Sequence, residues 1–106
     1  MGGEGHRTAA PKTPLMALRW TSIANRDLVR LHGFLEPVDA GAATRAIRRL
    51  LSGVKHIARH PRIGKRLTEF GPREVRKFIV GDYEIRYEIC DLEIFVLRLW
   101  HVFEDR

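Results

Sequence analysis

The sequence predicts an α+β fold of order β-α-α-β-β-β, with an αα-hairpin packed on a small, mainly antiparallel twisted sheet. Three observations predict it. The stretch Arg73–Arg106 holds three apolar segments separated by turn residues, and the middle one alternates with period two. Two segments between Thr21 and His60 repeat apolar residues at helical spacing. A short apolar run, Ala17-Leu18-Arg19-Trp20, precedes them and reads as a strand.

Residues 1–15 are rich in Gly, Pro and Thr and carry no hydrophobic period. Such a segment buries too little apolar surface to offset its ordering entropy and is read as flexible. Met16 is a candidate start of the native chain, which leaves residues 16–106 as one domain. Thr21 or Ser22 can cap a first helix running to about Leu35, with Ile23, Leu28, Leu31 and Leu35 on its apolar side and Asp27, Arg30 and His32 elsewhere. Glu36-Pro37 ends it, because a residue before proline is pushed out of the α region. Asp39 caps a longer helix whose apolar positions are Ala43, Ile47, Leu50, Leu51, Val54, Ile57 and Ala58. Gly53 costs that helix about 1 kcal/mol relative to alanine. His60-Pro61 stops it, and the stretch to Pro72 reads as a loop.

In the meander, Tyr83, Ile85, Tyr87 and Ile89 share one face of a strand and Glu84, Arg86, Glu88 and Cys90 the other. Gly81-Asp82 and the segment Cys90–Glu93 supply the turns. In the last strand Ile94, Val96 and Trp100 fall on one face and Phe95, Leu97 and Leu99 on the other. A strand apolar on both faces is expected inside its sheet, covered from both sides.

A chain of 106 residues fits one modest core. It has no apolar run long enough to span a bilayer and no apolar signal-peptide core, so a cytoplasmic protein is expected, with no membrane partner. A lone cysteine, Cys90, excludes an internal disulfide and a multi-cysteine zinc site. A formal charge of +6 and a pI near 10.2 favour an acidic partner, nucleic acid or protein.

The charge is concentrated. Between Ala40 and Thr68 there is no acidic residue, against eight cations: Arg45, Arg48, Arg49, Lys55, Arg59, Arg62, Lys65 and Arg66. Arg73, Arg76 and Lys77 follow. A scattered charge run is ordinarily a solvated helix face. The lack of compensating acids weighs toward a functional surface for phosphates or for an acidic protein segment. At the C-terminus, Arg98, Trp100, His101, Phe103, Glu104, Asp105 and Arg106 cluster in sequence. Metal-free RNA cleavage needs an acid and a base plus cations for the phosphorane. His101 offers the first, Arg73, Arg86 and Arg98 the second, and Glu69 or Glu74 a carboxylate. The plainer role for His101 is to close a strand end with a hydrogen bond to nearby backbone. His56 and His60 stand i, i+4 on a helix, but no local carboxylate or third histidine joins them, so no metal or other cofactor is expected.

The ordered set Leu18-Arg19-Trp20-Thr21 with Asp27, the long helix to His60-Pro61, Ile63-Gly64-Lys65, Arg73-Glu74, Tyr83–Tyr87 and Leu97–Arg106 resembles the RelE/ParE superfamily of bacterial type II toxins, the ParE branch in particular. The resemblance covers about residues 16–106 and implies a growth-arresting toxin that a ParD-like antitoxin holds inactive in a hetero-oligomer. ParE-like proteins are expected to inhibit DNA gyrase and block replication; RelE-like ones cut messenger RNA on the ribosome. RNA-cleaving relatives usually carry tyrosine with arginine or histidine near the chain end, whereas here the segment is His101-Val102-Phe103. Glu84 follows Tyr83 where many nucleases of the fold have arginine. The favoured reading is therefore a non-enzymatic gyrase inhibitor. A ribosome-dependent nuclease using His101, Arg73, Arg86, Arg98 and Phe103 is the alternative, and a binding module without toxicity a third. Candidate antitoxin- or target-binding residues are Arg45, Arg48, Arg49, Arg59, Lys65, Arg66, Arg73, Trp100, His101 and Arg106.

Overall fold

The computed structural model describes residues 16–104, so the expectations for residues 1–15, Asp105 and Arg106 lie outside the described residues. Strand β1 (Ala17–Trp20) leads into helix α1 (Ser22–Leu35) and helix α2 (Ala40–Arg59). A two-residue strand β2 (Lys65–Arg66), a 3-10 turn (Thr68–Phe70) and strands β3 (Glu74–Val80), β4 (Tyr83–Cys90) and β5 (Glu93–His101) follow. The sheet order is β1-β5-β4-β3-β2; β1 runs parallel to β5, and the other pairs are antiparallel. The expected order holds, with β2 added where a loop was read. Two residues give too short a pattern to register as a strand.

Both helices start as their capping chemistry dictates. The Thr21 hydroxyl accepts the Ala24 N–H and donates to the Val96 carbonyl at 2.9 Å, which fixes the start of α1 on β5. Asp39 accepts the Ala42 N–H at the start of α2. α2 buries Ala43, Ala46, Leu50, Gly53, Val54 and Ile57. Leu51, read as part of this stripe, is 39% exposed. The buried side of α2 is centred on Leu50 and Ile57, with the small residues Ala43, Ala46 and Gly53 around them. A Cβ on Gly53 would stand 2.6 Å from Val80 Cγ2 and 3.1 Å from Ile85 Cδ1, so glycine's cost in the helix accompanies a close helix–strand contact. Leu50, Ile57, Ile85, Tyr87, Ile94, Val96 and Leu99 form the centre of the core, each contributing about 1.5–3 kcal/mol by leaving water.

Two expectations about faces need correction. In α1 the buried positions are Ala24, Asp27 and Leu31, while Ile23 is 48% exposed. The helix turns Asp27 onto β5 because donors wait for it there. In β5, Arg86 pairs with Arg98 but Tyr87 pairs with Val96, leaving Leu97 as an extra residue in the strand. This bulge resets the alternation, since one inserted residue exchanges the two faces beyond it. Leu99 therefore joins Ile94 and Val96 under the helices, and Trp100 turns to the opposite face with Arg98. β5 does lie between two strands, but both helices sit on one side of the sheet. On the other side Trp100 is buried by Arg86 and Arg98, whose guanidinium carbons stand 4.6 and 4.9 Å from its ring centre.

Candidate functional site

Three surfaces gather the chemistry-bearing residues. The first is a trough between α2 and β3, about 710 Å³ in volume, whose cationic wall carries Arg45, Arg48, Arg49, Lys55 and Arg59. These side chains share one flank because 45, 48, 49, 55 and 59 recur at helical spacing, opposite the buried stripe. The floor is apolar, made by Phe78, Val80 and the backbone of Gly53, and Ile79 at its margin is 47% exposed. His56 stacks on Phe78 at 5.9 Å and lies 5.0 Å from His60. Arg45 makes a long ion pair with Asp39, 3.9 Å. No described carboxylate forms an ion pair with Arg48, Arg49, Lys55 or Arg59.

The second surface is the sheet face away from the helices, where Leu67, Glu69, Lys77, Glu84, Arg86, Arg98 and Trp100 surround a cleft of about 450 Å³. Glu84, read from the alternation as lying opposite Tyr83 and Ile85, is 2% exposed there and accepts from Arg86 at 3.4 Å. Arg86 Nε is buried and has no hydrogen-bond partner among the described residues. The pairing of β4 with β5 places Glu84 directly beside Trp100, which explains its burial. A carboxylate thus stands among the cations of this face.

The third surface is an apolar pocket of about 420 Å³ on the helix side, formed by Leu31, Phe34 and Leu35 of α1 with Tyr83, His101 and Phe103. His101 Nδ1 accepts the Phe103 N–H at 3.2 Å, and its ring meets Tyr83 edge-on at 5.3 Å. This is the backbone-closing role open to it from the sequence. Glu104 accepts the His101 N–H and pairs with Arg30, which hooks the chain end back onto α1.

Arg30 also reaches Asp27, the most heavily bonded carboxylate of the protein's described residues. Asp27 is 3% exposed and accepts from Arg98 Nε at 2.8 Å, the Leu99 N–H at 2.9 Å and Arg30 at 3.1 Å. Burial raises the pKa of this carboxyl, but the hydrogen bonds from Arg98, Leu99 and Arg30 outweigh it and hold the group below its ordinary value. The same cluster raises the Arg98 guanidinium, chiefly through its bond to Asp27.

The residues named for catalysis do not converge. Arg86 and Arg98 share the open sheet face, while His101 and Phe103 lie under α1 on the other side. Arg73 stands at the start of β3, its guanidinium held in two bonds by Glu88 at 3.0 and 2.7 Å. Glu74 is occupied by Arg62 and Arg76, and Glu69 lies at the rim of the open-face cleft. Of the binding candidates, Arg45, Arg48, Arg49 and Arg59 come together in the trough, Lys65 and Arg66 sit on the edge strand β2, and Trp100 and His101 point to opposite faces. Sequence reasoning missed Asp27 and the Phe34–Phe103 pocket. The spacing of Leu31, Phe34 and Leu35 signals an apolar end of α1, but nothing local shows that the chain end returns to it. Among the described residues no three metal-ligating side chains cluster, and no helix is long and apolar enough to cross a membrane.

Residues 18–105 match the family model described as the ParE toxin of the type II toxin–antitoxin system parDE. No curated protein matches the chain. Among solved structures it is similar to a chain of the chromosomal ParDE toxin–antitoxin system from P. aeruginosa, with 22% identity and a TM-score of 0.70 over 83% of this chain and 97% of that one. It is also similar to a chain of the toxin–antitoxin complex RelBE2 from Mycobacterium tuberculosis, with 26% identity and a TM-score of 0.62 over 82% of this chain and 98% of that one.

Proposed function

The chain belongs to the ParE toxin family of type II toxin–antitoxin systems, and on that footing we propose that it arrests growth by inhibiting DNA gyrase without catalysing a reaction. A ParD-like antitoxin, bound in the cytoplasm, keeps it inactive. The two structures named above are of a ParDE toxin–antitoxin system and of a RelBE2 toxin–antitoxin complex, which supports the antitoxin partner. The observation that carries the non-enzymatic reading is the separation of His101 from Arg86 by the thickness of the sheet, while the Arg98 guanidinium is taken up by Asp27 of α1. General acid–base catalysis requires the proton-transfer group within hydrogen-bond reach of the atom that the cations stabilise. Here the imidazole accepts from backbone on one face, while the cations surround Trp100 and the buried carboxylate of Glu84 on the other. A carboxylate in that position repels a phosphate.

Ribosome-dependent cleavage of messenger RNA is the second reading. It is favoured by the Lys77–Arg86–Arg98 grouping and by the unpartnered Arg86 Nε. Induction in cells carrying a DNA-damage reporter separates the two. Growth arrest with reporter activation is expected, and His101→Ala should leave both unchanged. Arrest without the reporter, accompanied by codon-phased cuts that vanish in His101→Ala, would transfer the assignment to the nuclease. Normal growth on induction would leave a binding module.

A further inference from the structure

The pocket between α1 and the chain end stays open because hydrogen bonds hold its walls in place. Glu104 accepts the His101 N–H at 3.0 Å and pairs with Arg30. Arg30 is anchored in turn by Asp27 at 3.1 Å and by the Leu99 carbonyl at 3.0 Å. The Val102 N–H donates to the Asp82 carbonyl at 2.8 Å, so the last described residues are fastened both to the sheet and to the helix. The cavity they keep, about 420 Å³, falls in the range of ordinary small-molecule sites, roughly 300–1,000 Å³. We propose that it binds a small, uncharged aromatic molecule that carries a carbonyl oxygen on its ring. Such a site is independent of the protein's target and of its antitoxin.

Three features select this ligand class. The lining is aromatic: His101 lies 5.3 Å from Tyr83 and 5.5 Å from Phe103, with Phe34 opposite on α1. Phe34 and Phe103 are 76% and 84% exposed, so a flat ring entering between them removes much apolar surface from water in favourable ring–ring contacts. Charge is excluded by the second feature. The two charged side chains of the lining, Arg30 and Glu104, are bonded to each other, and an ionic ligand would lose hydration without meeting a free counter-charge. The third feature is an open donor. His101 Nδ1 accepts the Phe103 N–H, so the neutral ring carries its proton on Nε2. No described group accepts that proton, and Arg86 Nε is the one described side-chain nitrogen both buried and unpartnered, so Nε2 reaches solvent. A carbonyl oxygen satisfies this donor without bringing a donor of its own that would need a partner in an apolar setting. A second copy of the chain is a poorer occupant, because two chains of charge +6 repel each other.

The test titrates the full chain with acetophenone and follows backbone amide chemical shifts by NMR. Saturable shifts are expected at Leu31, Phe34, Tyr83 and Phe103, with a Kd on the order of 1 mM for so small a probe. Toluene, which lacks the acceptor, should bind the same residues about three- to tenfold more weakly. Benzoate, which adds a charge, should bind there at least tenfold more weakly. This ligand series on the parent chain stands even where a variant fails to fold. His101→Phe keeps a ring of similar size without the Nε2 donor and should abolish the preference for acetophenone over toluene. Phe34→Ser should weaken both ligands about tenfold, and thermal unfolding checks that this exposed substitution leaves the fold intact. Equal affinity for acetophenone and toluene in the parent, benzoate binding the pocket as tightly, or shifts confined to the trough between α2 and β3 would each overturn the proposal. So would shifts of the pocket residues that grow with protein concentration in the absence of ligand, which would give the pocket to a second copy.

Discussion

Replacing Asp27 by alanine is expected to cost about 3 kcal/mol of stability, the largest loss from any single carboxylate in the described fold. The side chain accepts from three donors, one of them the buried backbone N–H of Leu99. That N–H has no water to turn to once the carboxylate is gone, while Arg30 and Arg98, each with 39% of its side chain exposed, can rehydrate in part. The estimate therefore sits at the low end for breaking a buried ion pair. For a domain of this size the midpoint of thermal unfolding should fall on the order of 15 °C. Asp27→Asn keeps one acceptor oxygen and should lose roughly half as much. The same cluster sets the acid limit. Asp27, Glu74 and Glu88 all have carboxyl pKa values below the ordinary value in the folded protein. Burial raises those of Asp27 and Glu74, and their arginine partners reverse that; for Glu88 the bond from Arg73 is the leading cause. Groups with depressed folded values contribute stability above the unfolded pKa of about 4, and it is lost as the pH falls through the folded values. Denaturant midpoints measured from neutral pH down to pH 3 should decline below pH 4, and less steeply in Asp27→Ala.

Gly64→Ala should produce a loss of similar size by a steric route, about 2–3 kcal/mol. A Cβ there would stand 2.6 Å from the Lys77 carbonyl oxygen and 2.7 Å from the Tyr87 hydroxyl. The first is backbone of a paired strand and cannot swing aside. The second belongs to a fully buried ring whose hydroxyl accepts the Gly64 N–H at 3.0 Å and donates to the Pro61 carbonyl at 2.6 Å. These two bonds pin the loop after α2 to the middle of the sheet. Tyr87→Phe should cost about 2 kcal/mol by leaving both backbone groups unpaired, without the clash. Chemical denaturation of the two variants checks the order. Equal stability of Gly64→Ala and the parent would show that the loop does not need this contact.

The elements set by local chemistry were legible in the sequence. β1 lies where the apolar run before Thr21 places it, both N-caps are the residues whose side chains can serve as caps, and the inward side of β4 follows its alternation. What failed depends on contacts between distant segments. The Leu97 bulge changes no propensity, yet it exchanges Leu99 and Trp100 between faces. Asp27 looks like a solvated helix residue until Arg98 and Leu99, more than seventy positions on, are placed opposite it. The cationic stretch was visible as composition, and the helical period of α2 turned four of its arginines into one wall. His101 and Arg98 are neighbours in the sequence, yet strand alternation starts their side chains on opposite faces of β5 and Asp27 of α1 takes up the Arg98 guanidinium.

A supercoiling titration tests the central claim most directly. Purified protein is added to a fixed concentration of DNA gyrase with relaxed plasmid, and in parallel to ribosomes translating a defined message. A non-catalytic inhibitor must be present in amounts comparable to its target. The account predicts that supercoiling is lost only as the toxin approaches the gyrase concentration, with the message intact. Unaffected supercoiling together with codon-phased cleavage at a small fraction of the ribosome concentration would contradict it.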